Sequence, residues 1–180
     1  MKKLATCLLA AATLAAGNAQ DDSAAAPRTL VAYFSATGTT AAAAQKLAKV
    51  TGGELWEIAP AQPYTSADLD WTDHSSRSYV EMHDAASRPA LKGKKENIAE
   101  YDVVYLGYPI WWHVAPTIIN TFIESHDLKG KTLIPFATSG SQDIEFSVDK
   151  LMKAYPTLNW KPGKLLNGAT ESSIRTWVGK

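Results

Sequence analysis

Between Tyr33 and Thr40 the chain reads Tyr-Phe-Ser-Ala-Thr-Gly-Thr-Thr, a loop of hydroxyl side chains around a glycine. It lies between an apolar run, residues 30–34, and a run of good helix formers, residues 41–50. A strand passing through a tight turn into a helix suits phosphate binding. The first amides of a helix have no intrahelical partner, and the helix dipole adds partial positive charge there. Gly38 permits a positive φ and a close backbone approach. Ser35, Thr37, Thr39 and Thr40 supply hydroxyl donors. No Lys or Arg lies in the loop, so an anion held by Ser35, Ala36, Thr37, Gly38, Thr39 and Thr40 would be held by dipoles rather than by paired charge.

Two further stretches suit a flat ligand. Pro109-Ile110-Trp111-Trp112-His113 sets two indoles side by side in a loop, where burying both rings in a core would be awkward. Such a pair offers a stacking surface for a planar ring. Thr138-Ser139-Gly140-Ser141 is rich in amides and hydroxyls that can bond the polar edge of that ring. A phosphate, a spacer and a flat heteroaromatic ring describe a mononucleotide.

The elements that position these loops follow from hydrophobic periodicity and turn residues. Strands are predicted over residues 29–34, 54–58, 103–107 and 132–137, with a last one within 158–166. Helices are predicted over residues 39–50, 115–125, 143–154 and 170–178, with a further helical stretch in 73–82. Residues 103–107 are apolar on both faces, as in the centre of a parallel sheet. This alternation predicts a doubly wound α/β sheet with right-handed crossovers. Ligands in such sheets lie beyond the carboxyl ends of the strands, where strand order reverses. All three loops follow strands and are expected to converge there. Residues 64–73 form a long loop of the kind that serves as a lid.

At 180 residues, the chain has the length of one domain with one core. Eighteen basic and eighteen acidic side chains leave no net charge, so no nucleic-acid-binding field is expected. Residues 1–19 read as a secretory signal peptide: Lys2-Lys3, an apolar run, then Asn18-Ala19 before Gln20. Residues 20–27 read as an Ala-rich linker, and residues 28–180 as the domain. The expected location is therefore outside the cytoplasm, in the periplasm, with no membrane span after cleavage. Cys7, the single cysteine, lies in the leader; Thr6 is bulky for a lipoprotein box, so lipid anchoring is not expected. A cleaved chain has no thiol, which excludes disulfides, thiolate metal sites and cysteine nucleophiles.

Taken together, the loops resemble those of the flavodoxin family, in particular exported flavodoxin-like proteins with a Pro-Ile-Trp-Trp loop. Tyr33, Ser35, Gly38, Thr40, Ala44 and Leu47 fit the family's phosphate-loop pattern. Ala32 departs from it, being smaller than the usual bulky apolar residue, which concerns strand packing. The resemblance covers about residues 28–178. It implies a three-layer α/β/α fold with a five-stranded parallel sheet in the order 2-1-3-4-5, and FMN as cofactor. The phosphate would sit on residues 35–40 and the isoalloxazine between residues 109–113 and 138–141. Trp111 or Trp112 would stack on the ring while the other covers its edge or packs down. Flavin redox chemistry belongs to the cofactor and is tuned by its surroundings. An indole in a poorly hydrated site disfavours the anionic reduced ring and lowers its potential.

The first functional expectation is an electron carrier that exchanges electrons with a redox protein partner. The alternative is an FMN-dependent oxidoreductase acting on quinones or similar small electrophiles, with the loop at 64–73 as its lid. A non-catalytic flavin-binding protein is the third reading. No Gly-x-Gly-x-x-Gly fingerprint for a dinucleotide is present. Thr138-Ser139-Gly140-Ser141 is not the Gly-x-Ser-x-Gly elbow that a hydrolase would need. No catalytic acid or base is assigned. His113 reads as a structural loop residue, and His74 and His83 as surface groups rather than metal ligands. Asp70, Asp73 and Arg77 either contact the ligand or form surface ion pairs.

Overall fold

The structure, a computed structural model, describes residues 26–180. The leader expected over residues 1–19, Cys7 within it, and residues 20–25 of the expected linker lie outside the described residues. In chain order the elements are β1 (Thr29–Tyr33), α1 (Thr39–Thr51), β2 (Glu54–Glu57), α2 (Arg77–His83), β3 (Val103–Pro109), α3 (Thr117–Ser125), β4 (Thr132–Thr138), α4 (Glu145–Ala154), β5 (Asn159–Trp160), β6 (Lys164–Leu165) and α5 (Glu171–Val178). Single 3-10 turns occupy Ala67–Leu69 and Ile98–Glu100. Among the described residues, no helix is long and apolar enough to cross a membrane.

Every pairing in the sheet is parallel, and the strand order is β2-β1-β3-β4-β5, with β6 also beside β4. Five strand positions in the order 2-1-3-4-5 are as expected. The outermost position is filled by two short pieces. Between their pairings with β4, Lys161, Pro162 and Gly163 stand opposite only Ile134 and Pro135. That extra residue is a bulge. Pro135 has no N–H to give a ladder, and bulges are where a sheet accepts proline. Gly163 is needed at this point, because a Cβ would come within 3.0 Å of the Pro135 carbonyl oxygen and 2.9 Å of Ile144 Cδ1.

The two faces of the sheet carry separate cores. Leu30, Ala32, Phe34, Val104, Leu106, Tyr108 and Leu133 project to one face, against Ile118, Ile119, Phe122 and Ile123 of α3 and Val148 and Leu151 of α4. Val31, Tyr33, Tyr105 and Phe136 project to the other, against Ala43, Ala44, Leu47 and Val50 of α1 and Ile174 of α5. The buried positions of α1 repeat at three and four residues, the spacing that gives a helix one apolar stripe. Its end is a glycine in the left-handed region, Gly52 with φ 74°, whose N–H donates to the Ala48 carbonyl. Three of the remaining helices begin two residues later than expected or more: α2 at Arg77, capped by the Ser76 hydroxyl, α3 after Pro116, and α4 after Ile144.

One contact fixes how β3 and β4 lie together. Gly107 pairs with Phe136, and a Cβ on Gly107 would fall 2.1 Å from Phe136 Cζ. The buried phenyl ring occupies the space a side chain would take. Gly107→Ala is therefore expected to destabilise the protein by about 1–3 kcal/mol or more in urea unfolding, as overpacking does. Adding Phe136→Leu should recover part of the loss. A neutral Gly107→Ala would show that the ring has room to move.

Candidate functional site

The loop after β1 has the geometry its residue types suggest. Gly38 adopts φ 88°, and nothing lies within 4 Å of where its Cβ would stand. The Gly38 N–H donates to Ser35 Oγ at 3.1 Å, which rounds the loop. The Gly38 carbonyl accepts the N–H of Ala42 at 3.0 Å, and no side chain caps the start of α1. The amides of the first turn are therefore left without a capping side chain. Thr37, Gly38 and Thr39 are exposed, and the Thr37 and Thr39 hydroxyls stand 3.4 Å apart. Thr40 is different. Its hydroxyl is buried against that of Thr138 at 2.8 Å, so it ties the first loop to the third.

The second loop is held to the third in the same way, by Ile110 N–H donating to the Thr138 carbonyl at 2.9 Å. It then doubles back: Trp111 N–H donates to the Val114 carbonyl at 3.0 Å, and Val114 N–H to the Trp111 carbonyl at 2.9 Å. The turn between them carries Trp112 at φ 43° and His113 at φ 72°. Two successive positive φ values are those of a turn that ordinarily takes Asn-Gly. Side chains with a Cβ pay about 1–2 kcal/mol each to stand there. Trp111 wedges edge-on between Phe34 and Tyr64, with ring centroids 5.5 Å away in each case. Trp112 stands edge-on to Tyr79 and His83 of α2, at 5.8 and 5.6 Å.

Between the second and third loops lies a cleft of about 370 Å³, lined by Ile110, Trp111, Trp112 and His113 on one side and Ser139, Gly140, Ser141 and Gln142 on the other. Trp71 and Ser78 complete it. Its lining holds no carboxylate, ammonium or guanidinium. The sequence pointed to a lid over residues 64–73 without singling out Trp71. That side chain is 72 % exposed and stands at the edge of the cleft. Ser78 carries no sequence signal of this kind; only the fold brings it to the cleft.

The other candidates do structural work. Arg77 donates from Nε to Glu81 at 2.6 Å and from Nη1 to the Gln62 carbonyl at 2.8 Å, and its guanidinium lies 4.0 Å over the Tyr64 ring. Glu81 also accepts from the Tyr64 hydroxyl, whose pKa is raised by burial and by that carboxylate. His74 and His83 sandwich the Tyr79 ring, with centroids 4.3 and 3.8 Å away. The long loop is stiffened by its own carboxylates. Asp68 accepts from Thr65, Asp70 from Thr72 and Asp73 from Ser75, in each case from both N–H and hydroxyl at 2.6–2.9 Å.

An uncapped helix start on the first loop and an aromatic-walled cleft between the second and third are tied together through Thr138. The residues present fit a phosphate-bearing planar ligand. The flavodoxin family model matches residues 28–180, and the chain belongs to that family. A crystal structure of a protein from Bacteroides eggerthii DSM 20697, described as a flavoprotein, is 64% identical, with a TM-score of 0.84 over 86% of this chain and 97% of that one. One from Bacteroides uniformis ATCC 8492, also described as a flavoprotein, is 57% identical, with a TM-score of 0.83 over 86% and 99%. A flavoprotein from Lactobacillus acidophilus NCFM, solved in complex with FMN, shares the fold at 21% identity, with a TM-score of 0.67 over 85% and 99%. No curated protein matches.

Two outcomes follow for the loops. His113→Gly removes the cost of one positive φ and should stabilise the ligand-free protein by about 0.5–1 kcal/mol in urea unfolding; a loss would mean that the edge-on approach of the ring to Phe146, with centroids 6.3 Å apart, outweighs the strain. The second concerns pH. The turns hold Asp68 (Thr65 N–H, then its hydroxyl), Asp70 (Thr72 hydroxyl, then N–H) and Asp73 (Ser75 hydroxyl, then N–H) below the usual carboxylate value of 3.8. A carboxylate depressed in the folded state contributes stability above its unfolded value and loses it as pH falls through the folded one. Below about pH 4, backbone NMR signals of residues 65–75 should broaden before those of the sheet. Simultaneous loss of both sets would refute this.

Proposed function

We propose that this member of the flavodoxin family binds FMN across the three loops and works as an electron carrier, exchanging electrons with a redox protein partner outside the cytoplasm. The observation that carries the reading is the joining, through Thr138, of an uncapped helix start to an aromatic cleft. Bound FMN would supply one- or two-electron redox chemistry at its ring system. The chain's own residues do the rest. The amides of Thr37, Thr39 and Thr40 and the hydroxyls of Ser35, Thr37 and Thr39 would hold the phosphate, the Gly38 N–H being used on Ser35 to round the loop, and Thr40 would keep that loop against Thr138. Trp112 is the better ring to stack on the flavin, since Trp111 is already wedged against Phe34 and Tyr64. Gly140 and Ser141 would meet the polar edge. A lining without ammonium or guanidinium groups offers little fixed charge to neutralise an anionic ring, and the protein is expected to hold the flavin at a low potential. The leader read over residues 1–19 supports the location.

A second reading, an FMN-dependent oxidoreductase acting on quinones or similar flat electrophiles, is favoured by Trp71. An exposed indole beside the cleft is suited to receive a second planar molecule.

The test is titration of the protein with FMN and with riboflavin, read by tryptophan and flavin fluorescence. Gly38→Ala, strained at φ 88°, should weaken FMN about tenfold and riboflavin hardly at all. Trp112→Ala should weaken both by about tenfold. No saturable quenching by FMN in the unaltered protein would defeat the proposal. Photoreduced protein that passes electrons to a cytochrome, without steady turnover of a nicotinamide nucleotide and a quinone, identifies the carrier. Steady turnover identifies the oxidoreductase.

A further inference from the structure

Asn167 stands 28 residues from the third loop in sequence and belongs to none of the three loops. Its carboxamide nevertheless takes both backbone groups of Ser139. Oδ1 accepts the Ser139 N–H at 2.9 Å, and Nδ2 donates to the Ser139 carbonyl at 2.6 Å. The reason lies in the edge of the sheet. β6 ends at Leu165, Leu166 N–H still donates to the Ala137 carbonyl at 2.9 Å, and the chain then leaves the sheet through Gly168 at φ 60°. The next step of the ladder, opposite Ser139, has no backbone to make it. A carboxamide carries one donor and one acceptor in the geometry of a peptide group, and Asn167 supplies that step.

This clamp sets what the loop can offer a ligand. Ser139 N–H is spent on Asn167. The Ser139 hydroxyl accepts the N–H of Ser141 at 3.3 Å and of Gln142 at 2.8 Å. From Ser139 to Gln142, the Gly140 N–H is the backbone donor left without a partner among the described residues. Gly140 and Ser141 both line the cleft and both are exposed. We propose that Asn167 is a positioning residue for the ring-binding cleft: it fixes the third loop so that the Gly140 N–H and the Ser141 hydroxyl are presented to an acceptor atom on the edge of a planar heteroaromatic ligand. The inference rests on the proposed FMN site for the identity of the ligand, but not for the clamp itself.

The test compares the unaltered protein with Asn167→Ala and Asn167→Asp. Aspartate keeps the shape and the acceptor but loses the Nδ2 donor and sets a charge against the Ser139 carbonyl. Because Asn167 is exposed and outside both cores, both variants should fold, with ligand-free Tm within a few degrees of the parent. Amide exchange at Ser141 and Gln142 should speed up at least tenfold in both, and at Ser139 in Asn167→Ala, which alone loses the acceptor, with the sheet unchanged. FMN and riboflavin should weaken by the same factor, about tenfold for two side chain–backbone bonds, since the phosphate loop is untouched. Aspartate should not restore binding. Unchanged exchange, unchanged affinity, or a weakening confined to FMN would overturn the proposal. If the unaltered protein binds no flavin, the cofactor reading falls by itself, and the exchange rates still decide for or against the clamp.

Discussion

Thr138 is the joint on which the site depends. It is the last residue of β4, pairs with Pro109 at the end of β3, and is almost fully buried. Its carbonyl accepts the Ile110 N–H and its hydroxyl meets that of Thr40. One residue thus binds the second loop through its backbone and the first through its side chain. A parallel sheet delivers the carboxyl ends of its strands to one edge, but that edge is broad. Turning three strand ends into one site takes contacts of this kind, in a place dry enough for a hydroxyl pair to matter.

Packing below the joint leaves it little freedom. The Phe136 ring lies across Gly107, two residues short of the junction, so β3 and β4 close against each other without slack. Above it the backbone is strained. Trp112 and His113 take up a turn made for Asn-Gly, and they are held there by the Trp111–Val114 hydrogen bonds and the ring contacts of both indoles. Residues in such regions persist where the surroundings over-determine them, and they gather where a protein meets a ligand. The rigid layer underneath makes the strained layer possible.

Charge is kept away from the cleft and used elsewhere. Glu54 at the start of β2 joins Lys95 and Tyr101 at the opposite, amino end of the strands. Arg77 and Glu81 fasten α2 to Tyr64, while Asp68, Asp70 and Asp73 close local turns that order a long loop with little apolar burial. What remains beside the cleft is dipolar: amides, hydroxyls, a helix start. Such groups are suited to an anion or a ring edge and set no ammonium or guanidinium beside it.

Local rules made much of this legible. Alternating apolar runs and helix formers marked the strands, and turn residues marked their ends, because propensity and period act within a few residues. Gly38 could be read as a positive-φ position for the same reason, since only its immediate neighbours decide it. The split of the fifth strand was less visible: Pro162-Gly163 breaks a run, but the bulge also needs Pro135 across the ladder. The two adjacent indoles were indistinguishable by type and position. Only the fold set Trp111 between Phe34 and Tyr64 and Trp112 against Tyr79. Asn167 reads as an ordinary turn residue, and its partner is 28 positions away. The chain's local order determined which elements form and where a phosphate loop could open. Which side chains meet across those elements was decided by packing between distant segments, a property no short window of sequence contains.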